Sequence, residues 1–109
     1  MKVNKIAVLG SGNIGLSIAN GLVHSKKYSA KQITLTRRNS SFLAEYKKIG
    51  FEVTNNNRKA VESSELIIVA VQPQQLNELL LEIKPVLMQS GFLYEVAPDP
   101  DKRLRNALA

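Results

Sequence analysis

An apolar strand that runs into three spaced glycines and then a helix constrains this chain more than any other feature. Lys5-Ile6-Ala7-Val8-Leu9 is followed at once by Gly10-Ser11-Gly12-Asn13-Ile14-Gly15, a G-x-G-x-x-G turn. Beyond the turn, Ile14, Ile18 and Leu22, with Ala19 and Val23, recur about one helical turn apart, so a helix is expected over 14–25. In such a turn Gly10 lets the chain reverse sharply, Gly12 leaves bare backbone where a pyrophosphate approaches, and Gly15 lets helix and strand pack closely. The free N–H groups and positive dipole end of the helix then face the phosphates. The blander reading is a tight strand–helix connection in a doubly wound protein that binds no nucleotide. The strand before the glycines and the helix after them favour the nucleotide.

The rest of the chain alternates strands and helices. Strands are expected at 5–9, 32–36, 51–54, 66–71 and 92–96. Ile33 and Leu35 fall on one face of the second strand and Thr34 and Thr36 on the other. Between strands two and three, a helix capped by Ser40 or Ser41 should run to Gly50, its C-terminal stop. Asn55-Asn56-Asn57 reads as a turn, followed by a short helix over 58–63. Leu66-Ile67-Ile68-Val69-Ala70-Val71 is continuously apolar, as a parallel strand covered on both faces requires. Pro73 breaks that run. A helix over 74–88 should follow, with Leu76, Leu79, Leu80, Ile83 and Leu87 as its apolar stripe and Pro85 kinking or ending it early. Right-handed crossovers then give an α/β fold, a Rossmann-type doubly wound parallel sheet of about five strands in the order 3-2-1-4-5.

Composition narrows the function classes. With 109 residues there is room for one domain. No apolar run approaches the roughly 18 residues of a membrane span, and the N-terminus does not read as a signal peptide. Without cysteine there is no thiolate nucleophile, cysteine metal site or disulfide framework, which is compatible with a cytoplasmic location. His24, the single histidine, falls near the basic end of the first helix, where a solvated residue suits the dipole. The formal charge of +6 is scattered over paired lysines and arginines with little aromatic interleaving, so no nucleic-acid partner is expected.

The end of strand two decides which dinucleotide such a fold takes. A site for NAD usually carries Asp or Glu there to accept hydrogen bonds from the ribose. This chain has Thr36-Arg37-Arg38-Asn39-Ser40. Two guanidiniums and no carboxylate favour NADP(H) over NAD(H), with Arg37, nearer the strand end, the first choice for the 2′-phosphate. Ala70-Val71-Gln72-Pro73 after strand four and the Asn55–Asn57 cluster after strand three also fall at the carboxyl ends of strands, where open α/β sheets bind ligands. The proline would shape the cleft, or simply end a strand. The asparagines would meet the adenine-side ribose or phosphates, or simply make a turn.

Together these segments resemble the pyrroline-5-carboxylate reductase family, which reduces a cyclic imine to proline with NAD(P)H. Ile6-Ala7-Val8-Leu9-Gly10-Ser11-Gly12-Asn13-Ile14-Gly15 is similar to its I-x-x-I-G-x-G-N-M-G opening, and Ala19-Asn20-Gly21-Leu22 continues it. Thr36-Arg37-Arg38 resembles the family's basic NADP loop, and Asn57 matches the stretch where it keeps a cofactor-binding asparagine. Ser64-Glu65-Leu66-Ile67-Ile68-Val69-Ala70-Val71-Gln72-Pro73-Gln74 is similar to its A-D-V-V-x-L-A-V-K-P-Q signature. The resemblance implies an oxidoreductase cofactor domain over residues 1–97, with contacts from Gly10, Ser11, Gly12, Asn13, Ile14, Gly15, Thr36, Arg37, Arg38, Asn57, Ala70, Val71, Gln72 and Pro73. It implies no catalytic residue and no metal in this stretch.

The departures carry expectations too. Gln72 stands where the family has lysine, and residues 98–109 diverge from it. The helical domain that builds the family's dimer and much of its imine pocket has no counterpart in the 109 residues, so cofactor binding without turnover is expected, with self-association through the face left bare. A stand-alone, non-catalytic NADP-binding sensor or interaction module is the alternative, and a deazaflavin-linked reductase with a similar first domain is a third.

Overall fold

In the computed structural model, which describes residues 4–87 and the backbone of 92–95, five parallel strands alternate with helices. The order along the chain is β1 (Ile6–Leu9), α1 (Asn13–His24), a 3-10 turn (Ala30–Gln32), β2 (Ile33–Thr36), a second 3-10 turn (Ser40–Leu43), α2 (Ala44–Ile49), β3 (Glu52–Thr54), α3 (Asn57–Glu62), β4 (Leu66–Val69), α4 (Pro73–Leu87) and β5 (Phe92–Glu95). The sheet order is β3-β2-β1-β4-β5, as the alternating pattern requires. β1 lies at the centre, with Ile6 paired to Ile33 on one side and to Leu66 on the other.

The unbroken apolar run of β1 divides by residue parity between two cores. Ala7 and Leu9, with Ile67 and Val69, pack against Ala60 and Val61 of α3 and Leu79, Ile83 and Leu87 of α4. Ile6 and Val8, with Ile33, Leu35 and Ile68, pack against Ala19 of α1 and against Leu43 and Phe51. A strand covered on both faces has no polar side to show, which is why the sequence lacks alternation there.

Several boundaries differ from the sequence reading, each for a local reason. Asn39, rather than Ser40 or Ser41, caps the segment after β2: its Oδ1 accepts from the Ser41 N–H at 3.1 Å. A 3-10 turn precedes α2, which closes at Gly50 with φ of 125°. Asn56 caps α3 by accepting the Lys59 N–H at 3.0 Å, so the helix begins at Asn57. Pro73 starts α4 instead of merely ending β4, since the missing N–H costs nothing at a first helical position. Pro85 does not stop that helix, because Ile83 and Leu87 on either side of it are both buried in the core. Val96 and the divergent tail over 98–109 lie outside the described residues.

Candidate functional site

All the strands point their carboxyl ends the same way, and a cleft of about 660 Å3 opens there. Its floor is the turn between β1 and α1. Gly10 has φ of 80°, and a Cβ built on it would run into Cγ1 of Val71 and crowd the Ala70 carbonyl at 3.3 Å. Only glycine is at ease with both conditions. A Cβ on Gly15 would stand 2.9 Å from the Gly10 carbonyl oxygen and 3.2 Å from Val8 Cγ1, so this residue sets the approach of α1 to β1. Gly12 is different: nothing lies within 4 Å of where its Cβ would be. The space above it belongs to the cleft.

Hydrogen bonding sorts the loop's N–H groups into used and free. Gly10 donates to Thr36 Oγ1 at 3.2 Å, Ser11 to the Thr36 carbonyl at 2.7 Å and Gly12 to the Gly10 carbonyl at 2.8 Å. Gly12 is the N-cap of α1 and no side chain caps the helix. The N–H groups of Asn13, Ile14 and Gly15 have no helical carbonyl before them to accept their protons. Asn13 and Ile14 line the cleft, so the positive end of a twelve-residue helix opens into it.

Thr36 ties the three walls together. It is 1% exposed, and besides accepting from Gly10 its hydroxyl donates to Asn57 Oδ1 at 2.6 Å. Asn57 Nδ2 in turn reaches Glu82 Oε1 on α4 at 3.4 Å, and Arg58 Nε donates to the Glu82 carbonyl at 2.7 Å. Asn57 therefore presents a fixed amide rather than a free one. The glycine turn, the end of β2, the start of α3 and the middle of α4 are one hydrogen-bonded unit.

Arg37 and Arg38 form the rim beyond Thr36. The Arg37 N–H donates to the Thr54 carbonyl at 3.3 Å, and its guanidinium carbon sits 4.7 Å from the centre of the Phe42 ring. Neither guanidinium has an ion-pair partner among the described residues. Ala70, Val71 and Gln72 line the opposite side, where the Ala70 N–H donates to the Leu9 carbonyl at 2.9 Å.

Of the fourteen residues singled out from sequence, the cleft gathers Gly10, Gly12, Asn13, Ile14, Thr36, Arg37, Arg38, Asn57, Ala70, Val71 and Gln72. Ser11, Gly15 and Pro73 are not in its lining. Ser11 is fully buried, its hydroxyl turned back to the Val8 carbonyl at 3.1 Å. Ile14, expected on the apolar face of α1, is 36% exposed at the cleft mouth, while Gly15 and Ala19 carry the burial. Sequence reasoning did not assign Gln75, Glu78, Leu79 and Glu82, which also line the cleft. Their signal was present: α4 starts at Pro73, directly after the carboxyl end of β4, so its first turns must flank whatever lies there. Among the described residues no group of histidine, aspartate and glutamate is placed to hold a metal, and no helix is long and apolar enough to cross a membrane.

A central β1, a glycine turn against a helix N-terminus and a cleft at the carboxyl edge define a Rossmann-type dinucleotide-binding fold. The family model described as NADP oxidoreductase, coenzyme F420-dependent, matches residues 5–92, and the chain belongs to that family. Within it, the chain is 43% identical over 93 residues to pyrroline-5-carboxylate reductase 1 of Dictyostelium discoideum, covering 85% of this chain and 17% of that protein. It is 40% identical over 98 residues to pyrroline-5-carboxylate reductase 2 of the same organism, covering 88% and 33%. A solved pyrroline-5-carboxylate reductase from Coxiella burnetii superposes with a TM-score of 0.79 at 26% identity, over 88% of this chain and 36% of that one. The chain thus spans about a third or less of the length of these relatives. Two further structures share the fold at lower identity. They are a Plasmodium falciparum pyrroline carboxylate reductase with NADP bound (TM-score 0.68, 19% identity, 85% of this chain and 33% of that one) and a Myxococcus stipitatus imine reductase variant with NAD+ (0.73, 22%, 91% and 33%).

Proposed function

We propose that this chain is the NADP(H)-holding part of a pyrroline-5-carboxylate reductase-like oxidoreductase. The observation that carries the reading is the continuity of one cleft from the open N-terminus of α1 to Arg37 and Arg38, which have no ion-pair partner among the described residues, with room left above Gly12. A dinucleotide fits that donor set: pyrophosphate above Gly12 on the Asn13 and Ile14 N–H groups, adenosine ribose beside Thr36 and Asn57, and the 2′-phosphate against the arginines. Ala70, Val71 and Gln72 would flank the nicotinamide half.

When bound, the cofactor supplies a hydride, and the protein supplies position and electrostatics. Transfer to an imine carbon needs that carbon held about 3–3.5 Å from the nicotinamide, in a pocket that excludes water. Among the described residues the chargeable side chains of the cleft are Arg37, Arg38, Glu78 and Glu82. These 109 residues span about a third or less of the relatives' length, and by themselves they bind the cofactor without turning over pyrroline-5-carboxylate.

The test is a calorimetric or nicotinamide-fluorescence titration of the chain with NADPH and, separately, NADH. Tighter binding of NADPH, lost on Arg37→Ala or Arg38→Ala, supports the reading. Failure of both cofactors to bind, or steady proline formation by the purified chain, overturns it in its binding or its turnover half respectively.

A further inference from the structure

We infer that Phe42 sharpens the preference for NADP(H) by holding the Arg37 guanidinium in place at the rim of the cleft. The inference deepens the cofactor reading above and rests on it. Phe42 is 64% exposed, so its ring is not there to fill the core. What it does contact is Arg37, whose guanidinium carbon lies 4.7 Å from the ring centre, within cation–π range.

Both ends of this contact are anchored. On one side, the Arg37 N–H is bonded to the Thr54 carbonyl, which ties the start of the side chain to β3. On the other, Leu43, next to Phe42, is completely buried in the core beside β2. The turn before it is closed by Asn39, whose Oδ1 accepts from the Ser41 N–H at 3.1 Å and the Ser41 hydroxyl at 2.6 Å, and whose carbonyl accepts the Phe42 N–H at 3.3 Å. The ring therefore stands on a fixed platform five residues beyond the arginine.

The chemistry follows from guanidinium geometry. An arginine at a protein rim samples many rotamers, and a phosphate that captures it must first order it. A guanidinium lying on an aromatic face is ordered beforehand, and its edge keeps its N–H donors free for a bidentate grip on phosphate oxygens. Only a cofactor with a 2′-phosphate gains from that ordering. Phe42 is thus a positioning residue for the NADP-specific part of the site, and its contribution is invisible to NAD.

The experiment measures Kd for NADPH and NADH with the chain and its Phe42→Ala, Phe42→Leu, Phe42→Tyr, Arg37→Ala and Arg37→Ala/Phe42→Ala variants. Thermal melting run beside it confirms folding. Phe42→Ala and Phe42→Leu should weaken NADPH about two- to five-fold and leave NADH unchanged, while Phe42→Tyr keeps the preference. In the Arg37→Ala background, Phe42→Ala should have no further effect. Equal loss for both cofactors, a Leu variant as selective as the parent, or additional loss in the Arg37→Ala background overturns the inference. If Arg37→Ala abolishes the preference while Phe42→Ala preserves it, only the role of Phe42 falls. If the parent shows no preference, or Arg37→Ala keeps it, the arginine reading falls and Phe42 with it.

Discussion

Replacing the Thr36 hydroxyl is the perturbation whose cost can be worked most directly from the structure. Thr36→Val keeps a branched side chain in a site that is 1% exposed and removes two hydrogen bonds, from the Gly10 N–H at 3.2 Å and to Asn57 Oδ1 at 2.6 Å. The Gly10 N–H is left without its acceptor in a part-buried position. A buried donor so orphaned costs about 1–3 kcal/mol, while the half-buried Asn57 end recovers most of its bond from water, so the total is about 2 kcal/mol. In a domain of this size that lowers Tm by about 8–15 °C. Thr36→Ser keeps the hydroxyl and loses one methyl group, at about 1 kcal/mol. Denaturant and thermal unfolding of the three proteins, followed by circular dichroism, reads the order parent, then Ser, then Val. A Val variant as stable as the parent, or a Ser variant less stable than the Val one, would show that the hydroxyl does not tie the glycine turn to α3.

Two glycines separate scaffold from site. Gly12→Ala places its methyl in open space, so unfolding should shift by less than about 1 kcal/mol while dinucleotide Kd rises at least about tenfold. Gly10→Ala combines a φ of 80° with a collision at Val71 and should lose about 2 kcal/mol or more of stability. Paired melting and titration data check both: a Gly12 variant that binds normally, or a Gly10 variant as stable as the parent, contradicts the assignment.

The sheet order was legible because each of its determinants is local. Ile6–Leu9 and Leu66–Val69 are too apolar to show a wet face, and Gly10 and Gly50 sit where the chain must turn with positive φ. What sequence could not show was partnership across the cleft. Thr36 is expected from sequence among the cofactor contacts, but its bonds to Gly10 and Asn57 depend on residues 26 and 21 positions away. Ser11 has the look of a loop hydroxyl free for phosphate, yet its side chain turns inward to Val8. Glu78 and Glu82 belong by spacing to the wet side of α4, and only the crossover after β4 brings them over the cleft. Phe42 falls in a segment read as helix; the 3-10 turn that Asn39 closes is what carries its ring to Arg37.

On the proposed function, a dinucleotide occupies the cleft at the carboxyl edge of the sheet. Amide NMR of the 15N-labelled chain during titration with NADPH tests it residue by residue. Saturable shifts are expected at Gly12, Asn13 and Ile14, at Arg37 and Arg38, and at Val71 and Gln72, with Lys47, Lys48 and the amino end of β1 unmoved. Shifts confined to the lysines of α2, or none at saturating cofactor, would contradict it.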